Sequence, residues 1–360
     1  MPSSPSSIAL LVRRRATNQQ LAQPASATPT ELVGSLVAVQ AQDWPAARWA
    51  LGLRLGGAFD DESIERALGE GAFIRTHAFR WTWQLVAPSD VRWILSLLRA
   101  RLLARAALRH RQLGLDAKTL VRANEVIAKA LEEGPQTRAD LATALRRRKI
   151  DPDDQRLPHL LACAELEEIA CSGPRYGKQP TWRLLDEVAP RTKPRTRTDA
   201  LHELATRYFT SRGPATISDF MWWTSLEARE ARTALEAAAP SLTAESIGGE
   251  TYWFDGARSV AEKPGTFLTP AFDEYLVAYR RRDAVLDPDH VKLVNAGGGL
   301  LGPCIVHDGR ILGTWRRATT KEGLRVELSF FEPRKRIDRA IRDAEQRYLR
   351  FLAPKPQSSG

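Results

Sequence analysis

The amino-acid sequence predicts an α+β fold built from tandem units of two helices and a hairpin, followed by a β-rich, barrel-like C-terminal part. Three observations support this prediction. The order of helix cap, two helices and two short strands occurs three times along the chain. A basic segment with two prolines and no other apolar residue separates the second copy from the third. Beyond Lys263 the sequence turns to short strand-like runs punctuated by glycine.

The first copy opens the chain. Thr30 is expected to cap a helix that continues through Val39. A second helix is expected at roughly Ser63–Gly69, and Phe73–Val86 has the β-branched and aromatic composition of strands. A long helix over Asp90–Gln112 follows, and its arginines do not collect on one face. We therefore expect a mostly buried helix whose guanidinium groups reach outward to water.

The second copy shows the pattern most clearly. Thr137 is expected to cap a helix over Arg138–Arg147, and Leu157–Leu166 forms the next helix. Two strands, Glu168–Cys171 and Thr181–Leu185, flank a loop rich in glycine and proline. The sequence therefore predicts a helix–helix–hairpin unit here.

In the third copy, Thr216 is expected to cap a helix over Ile217–Thr224, and a second helix spans Leu226–Ala238. Leu242–Ile247 and Thr251–Phe254 are expected to pair across a Gly-Gly turn. Farther on, an Asp-Gly turn predicts another hairpin around residues 306–310.

Two helices followed by a hairpin is the order of a winged helix, a DNA-binding module. Units of this layout also serve as protein–protein modules, so the layout alone leaves both interpretations open. The expected divisions are a first unit with its long helix at 1–112, a second unit at 113–189, a linker at 190–198, a third unit at 199–262, a β-rich domain at 263–353 and a disordered tail at 354–360. Residues 1–7 are expected to be disordered as well.

Charge and composition narrow the function. Lys and Arg number 53 against 43 Asp and Glu, a net charge of +10, which suits a polyanionic partner such as DNA. Proteins from arginine-rich proteomes carry similar charge without binding DNA. The three cysteines form no CxxC pair, which argues against a disulfide scaffold or a structural zinc site. No segment approaches the ~20 apolar residues of a membrane span, so we expect a cytoplasmic protein without a membrane partner.

The most unusual motif is Val39-Gln40-Ala41-Gln42-Asp43. On a helix the two glutamines would lie about 200° apart. If the helix instead ends near Val39, residues two apart point the same way and both amides face one point, with Asp43 adjacent. The alternative is that the glutamines only tie the helix end to the next segment.

A second cluster runs from Arg75 to Gln84. His77, Arg80, Trp81 and Trp83 combine charge with flat aromatic surface suited to stacking on bases. The alternative is a strand pair with tryptophan in a core. Asp273 and Glu274 are also adjacent, but on a predicted strand they would point to opposite faces, which excludes a general acid/base pair.

Together these segments resemble the AlkZ-like winged-helix DNA glycosylases. The resemblance rests on residues 15–22, 39–43, 47–54, 75–83, 213–223, 273–277 and 308–315, in order through nearly the whole chain. It implies tandem winged helices in a C shape around duplex DNA and removal of N7-alkylated purines, in some members including interstrand crosslinks. The family's catalytic Gln-x-Gln falls on Gln40 and Gln42. Gln84 stands where a histidine is expected, and Trp81 where a smaller residue is usual.

Our leading hypothesis is therefore a monofunctional glycosylase that uses no metal or other cofactor and acts as a monomer on alkylated or crosslinked double-stranded DNA. Gln40 and Gln42 would hold the attacking water, and Asp43 would stabilise the cationic sugar. The expected contacts to the lesion or the DNA are made by His77, Arg80, Trp81, Trp83, Arg48, Arg175, Lys178, Arg316 and Arg317. The rival hypothesis is a non-catalytic winged-helix DNA-binding protein or transcriptional regulator, and a third is a protein–protein adaptor.

Overall fold

The computed structural model describes residues 5–295, 297, 299–321, 323–333 and 338–353. The chain forms two compact units: unit 1 comprises Met1–Ile64 and Leu201–Gly360, and unit 2 comprises Glu65–Ala200. The expected tail at 354–360 and residues 1–4 lie outside the described residues. Residues 5–7 begin the first helix, so the expectation of disorder is wrong for them. The six-part division drawn from the sequence stays a prediction.

Unit 1 begins with helices around one short strand. These elements are α1 (Pro5–Asn18), α2 (Pro29–Leu36), β1 (Ala38–Gln40), α3 (Trp44–Arg54) and α4 (Asp61–Gly69), the last of which continues into unit 2. Thr28, not Thr30, caps α2: its hydroxyl accepts the Glu31 N–H at 3.2 Å, and Pro29 occupies the first helical position, where its missing N–H costs nothing. The helix ends at Leu36, earlier than expected, because Val37 adopts a φ of 65°.

Unit 2 contains the second helix–helix–hairpin copy. Its elements are β2 (Ile74–His77), β3 (Trp83–Val86), α5 (Val91–Gln112), α6 (Ala117–Leu131), β4 (Gln136–Thr137), α7 (Arg138–Arg147), α8 (Arg156–Leu166), β5 (Ala170–Ser172), β6 (Thr181–Leu184) and α9 (Arg197–Arg212), which passes into unit 1. Strands β2 and β3 pair antiparallel, and β4, β6 and β5 form a sheet in that order.

The two predicted helices and the hairpin of this copy are confirmed, but the first strand is Ala170–Ser172 and not the expected Glu168–Cys171. Thr137 caps α7 in a capping box with Asp140, and β5 pairs antiparallel with β6. A core around Trp182 packs between α6, α7 and α8. Helix α6 was missed by the sequence analysis. The expected linker at 190–198 runs two residues too far, because α9 begins at Arg197. Thr196 and Asp199 hydrogen-bond across the first turn of this helix.

The rest of unit 1 follows α9. It consists of α10 (Ile217–Thr224), α11 (Ala228–Ala238), β7 (Thr243–Ile247), β8 (Glu250–Phe254), β9 (Thr266–Thr269), α12 (Glu274–Val277), α13 (Val291–Val294), β10 (Cys304–His307), β11 (Arg310–Thr320), β12 (Gly323–Phe330) and α14 (Asp338–Leu352). The Thr216 cap and the β7–β8 hairpin are confirmed. The hairpin at the Asp308-Gly309 turn is confirmed too, since His307 pairs with Arg310.

The expected barrel-like end is wrong. The strands form one open sheet in the order β12-β11-β10-β9. Helices bury its apolar face: Tyr348 of α14 packs edge-on against Trp315 at 4.7 Å and against Trp49 of α3 at 5.0 Å. The Trp49 indole N–H donates to the Leu268 carbonyl at 2.6 Å. Because helices cover that face, the sheet needs no closure to remove it from water.

Candidate functional site

Gln40 ends the short strand β1, whose three residues are all buried. The extended backbone expected at this glutamine is therefore confirmed. Gln40 is 9% exposed, whereas Gln42 and Asp43 are exposed. The two glutamines thus differ in their access to solvent, with one held in the protein and one at its surface. That both amides aim at one point stays a prediction.

Asp43 has a structural task that the sequence analysis missed. It is the N-cap of α3, and its Oδ1 accepts the Ala46 N–H at 3.1 Å. Pro45 lies in the first turn of the same helix, where proline is favoured. The cap fixes the turn that carries the chain from β1 into α3. The Gln-Ala-Gln-Asp motif is therefore the junction between a strand and a helix.

A buried carboxylate, Glu274, hydrogen-bonds to the backbone of β1. Glu274 Oε1 accepts the Gln40 backbone N–H at 2.9 Å. Its Oε2 accepts Arg212 Nη2 at 2.7 Å, and both side chains of this ion pair are 0% exposed. Trp223 Nε1 donates to the same oxygen at 3.0 Å. A buried charge is tolerated only when it is paired and hydrogen-bonded, and each oxygen here has a donor.

Asp273 forms a second buried ion pair one residue away. Arg54 donates two hydrogen bonds of 2.8 Å each to this carboxylate. The same guanidinium donates two further hydrogen bonds to Gln19. Asp273 is the N-cap of α12 and Glu274 its first residue. The expectation that they stand on a strand is wrong. Each carboxylate is instead buried with its own arginine.

In unit 2, His77 is 8% exposed and lies 2.7 Å through Nδ1 from Glu165 Oε2. The ring also packs edge-on against Trp83 at 4.9 Å. The guanidinium of Arg75 stacks 3.4 Å above the Trp83 ring. His77 and Trp83 therefore lie on paired strands and pack against neighbouring side chains, as in the alternative of a strand pair with tryptophan in a core. Trp83 is half-buried.

Trp81 belongs to a group of rings in the same unit. It lies 5.9 Å from His110 and 6.1 Å from His159, measured between ring centroids. Arg80 and Trp81 both adopt a φ of 60°, a strained conformation for residues with side chains. Burial lowers the pKa of His110. Burial, and then the charges of His110, Arg109 and His77, lower the pKa of His159.

Gln84, where the family resemblance leads us to expect a histidine, is fully buried on β3. Its Nε2 donates to Thr82 Oγ1 at 2.7 Å. The departure therefore lies inside the protein, where Nε2 is hydrogen-bonded and Oε1 is buried with no hydrogen-bond partner among the described residues.

The expected basic contacts differ in how they are engaged. Arg48 pairs with Asp61 at 3.1 Å and is largely covered. Arg175 lies 3.7 Å from Glu65, and exposed Arg316 lies 2.6 Å from Glu327. Lys178 and Arg317 are exposed. Arg175 is exposed as well, so four of the five basic residues lie at the surface.

In the described part of the chain, the side chains that bind metals are not clustered and the cysteine thiols are buried. Among those residues, no group of three or more His, Cys, Asp or Glu side chains could hold a metal ion. Burial raises the pKa of Cys163 to about 12 and also raises the pKa of Cys171 and Cys304. Such thiols stay protonated at neutral pH and are poor nucleophiles. In the same residues, no helix is long and apolar enough to cross a membrane.

Sequence reasoning missed Arg212, Arg54 and Glu165, and it considered Glu274 only as half of an acid/base pair that it excluded. A signal existed for Glu274, because an acidic pair immediately before the apolar run Tyr-Leu-Val predicts buried carboxylates that need cationic partners. The partners carry no such signal. Arg212 is separated from Glu274 by 62 positions, and its surroundings read as an ordinary helix end.

Comparisons with known proteins give a consistent result. A family model described as DNA glycosylase AlkZ-like matches residues 33–351. An interstrand DNA cross-link repair glycosylase from Streptomyces sahachiroi is 28% identical over 302 residues, which are 79% of this chain and 81% of the relative. The solved structure of Streptomyces sahachiroi DNA glycosylase AlkZ has a TM-score of 0.79 and 24% identity, covering 98% of this chain and 97% of that one. The mixed helix and sheet fold is that of this structure.

Proposed function

This chain belongs to the AlkZ-like DNA glycosylase family, and from that membership we propose that it hydrolyses the N-glycosidic bond of cationic N7-alkylated purines in double-stranded DNA. The observation that carries the proposal is the family match over residues 33–351, which includes Gln40 and Gln42. The name of the curated relative supports extending the substrates to interstrand crosslinks.

The leaving group explains why neutral amides suffice. An N7-alkylated guanine carries a positive charge and departs readily, which gives a transition state with oxocarbenium character. An amide is a poor base, but it can orient a water molecule. In our proposal Gln40 and Gln42 position that water, and no cofactor or metal is required because the leaving group is already charged.

Asp43 is proposed to stabilise the developing positive charge on the sugar. Its carboxylate is exposed and held next to Gln42 by its capping bond to Ala46. An anion near an oxocarbenium ion lowers the energy of the transition state more than that of the neutral sugar. No amine nucleophile is assigned, so we expect hydrolysis without a Schiff base or strand nicking.

The DNA-binding surface is proposed from the resemblance and from charge. We assign the three helix–helix–hairpin segments to winged helices that act in a C-shaped arrangement around the duplex, as a monomer. The lesion or opened duplex would contact His77, Arg80, Trp81, Trp83 and Arg48, and the phosphates would contact Arg175, Lys178, Arg316 and Arg317. Trp81 and Trp83 are half-buried, and aromatic rings stack on bases, although the Arg75 guanidinium already covers one face of the Trp83 ring.

The test is release of N7-methylguanine from methylated duplex DNA, measured for wild type, Gln40→Ala and Gln42→Ala. We expect release by wild type and a loss of about 100-fold or more in each variant. Gln346→Ala, an exposed amide on α14, is the matched control and should retain full activity. Equal background release by all proteins would overturn the catalytic assignment. A sequence-specific footprint without base release would identify a regulator instead.

A further inference from the structure

We propose that Arg212 and Glu274 are positioning residues that fix the backbone of β1 and thereby set Gln40 for base release. This inference rests on the proposed function and deepens it. Neither residue is proposed to touch the substrate. Both are 0% exposed and act through the strand that carries the glutamine.

The pair is bonded to both ends of β1. Glu274 Oε1 accepts the Gln40 N–H at 2.9 Å. Arg212 donates from Nη2 to the Ala38 carbonyl and from Nη1 to the Leu36 carbonyl, both at 2.7 Å. Residues 36, 38 and 40 are each two apart, the spacing at which an extended chain presents backbone groups on one edge. The charged pair therefore contacts this edge as a neighbouring strand would.

The turn before β1 needs this support. Val37 has a φ of 65°, a conformation that is costly for a β-branched residue and persists only where the surroundings enforce it. Arg212 holds the carbonyls on both sides of that residue. It thus fixes the point at which α2 ends and the extended strand starts.

Further contacts hold the pair itself. Trp223 Nε1 donates to Glu274 Oε2 at 3.0 Å, and the Arg212 guanidinium lies 4.2 Å from the Trp223 ring centroid. Arg212 also donates to Ser211 Oγ at 3.0 Å. With donors and acceptors matched in this way, a buried network is rigid and has one favoured geometry.

The chain offers a matched control in the neighbouring ion pair. Arg54 and Asp273 are equally buried and joined by two bonds of 2.8 Å. Arg54 contacts Gln19 and Ala50, not the backbone of β1. Substitutions of Arg212 or Glu274 should therefore slow base release more than substitutions of Arg54 or Asp273. Both pairs contribute to stability.

The experiment compares Arg212→Lys and Glu274→Gln with Arg54→Lys and Asp273→Asn in the full chain. Three quantities are measured: the single-turnover rate of N7-methylguanine release, the Kd for methylated duplex, and the Tm. Lysine keeps the charge of Arg212 but cannot hold both carbonyls and the carboxylate at once. We expect the first two variants to slow release about 10-fold or more with Kd within twofold, because small misplacements of catalytic groups are costly. The control pair should lower Tm similarly and slow release less than threefold.

Amide hydrogen exchange of the segment 36–43 provides a readout independent of activity. It should rise in Arg212→Lys and Glu274→Gln and stay at the wild-type level in Arg54→Lys. Trp223→Phe, which removes one bond to Glu274, is the milder variant should the others fail to fold, and it should give a smaller change of the same sign. Equal losses of rate and exchange protection in both pairs overturn the inference. Wild type that releases no base overturns the proposed function, while exchange still decides whether the pair fixes β1.

Discussion

One oxygen of Glu165 serves two donors on His77: the carboxylate lies 2.7 Å from the imidazole Nδ1 and 2.7 Å from the backbone N–H. The other oxygen accepts Trp182 Nε1 at 2.7 Å. A single buried carboxylate thus ties β2, α8 and β6 together within unit 2. It also orients the His77 ring, one of the proposed lesion contacts.

Removing this carboxylate should destabilise unit 2. In Glu165→Ala the His77 and Trp182 donors stay buried without their acceptor, so we expect a loss of about 3 kcal/mol or more in the free energy of unfolding. Urea denaturation followed by tryptophan fluorescence measures it. Glu167→Ala removes a partly exposed carboxylate paired with Arg99 and should cost less than about 1 kcal/mol. Equal costs for the two variants would contradict the assigned role.

Substitutions of Asp43 can separate its role as a helix cap from its proposed role in stabilising the sugar cation. Asp43→Asn keeps a side-chain oxygen for the Ala46 N–H, so Tm should change little, since Asn and Asp cap about equally well. If the negative charge stabilises the sugar cation, base release should fall about 10-fold or more in this variant. Asp43→Ala should lose about 1 kcal/mol of stability in addition. Full activity in Asp43→Asn would leave only the cap.

Gly52 is required by close packing of α3 against α14. A Cβ at this position would lie 2.3 Å from Phe351 Cε2. We expect Gly52→Ala to cost about 1–3 kcal/mol of stability through overpacking. A double-mutant cycle with Phe351→Leu, read by chemical denaturation, should show that the smaller side chain recovers part of this loss. Strict additivity of the two changes would count against the contact.

Phosphate contacts should appear in the salt dependence of DNA binding. Lys178→Ala and Arg317→Ala should each reduce the slope of log K against log salt concentration by about 1 on any duplex sequence. Lys129 is an exposed residue of α6 whose ammonium lies 2.6 Å from Glu132, and it supplies the control Lys129→Ala, for which the slope should not change. Fluorescence anisotropy at several salt concentrations gives the slopes. An unchanged slope removes a residue from the proposed DNA surface.

Acidification should weaken unit 2. The pKa values of His110 and His159 are lowered in the folded chain, so the unfolded chain binds more protons below the ordinary histidine pKa of about 6.5. Stability must then rise with pH across this range and fall as pH drops from about 7 towards 6. Urea midpoints at pH 7.5 and 6.0 test the sign. Replacing both histidines with glutamine should flatten the dependence, and an unaltered slope would refute its source.

How far the sequence predicts this fold depends on the range of each interaction. The caps at Thr137 and Thr216 were predictable because donor and acceptor are three residues apart. Thr28 was predictable in the same way, since Pro29 marks a first helical position, but Thr30 was chosen. The open sheet was not predictable, because α14 covers it and no local pattern says which face a distant helix will occupy.

The candidate site shows the same limit. The extended backbone at Gln40 was predictable, because a continued helix would place its polar amide on an apolar face, which is unfavourable unless the amide is hydrogen-bonded. Its hydrogen bond to Glu274 spans 234 positions of sequence. Such a contact depends on the completed tertiary structure, which a single sequence does not reveal.

Unit 1 is discontinuous, and this affects how the protein is made. The ribosome releases the glutamine motif long before the carboxylate that anchors it, 234 positions later. At about 5–20 residues per second, the Gln40 N–H waits roughly 10–50 s for this carboxylate. Nascent chains stalled within this interval lack the carboxylate that accepts the Gln40 N–H. Assembly of the glutamine-bearing end is then among the last events of biosynthesis.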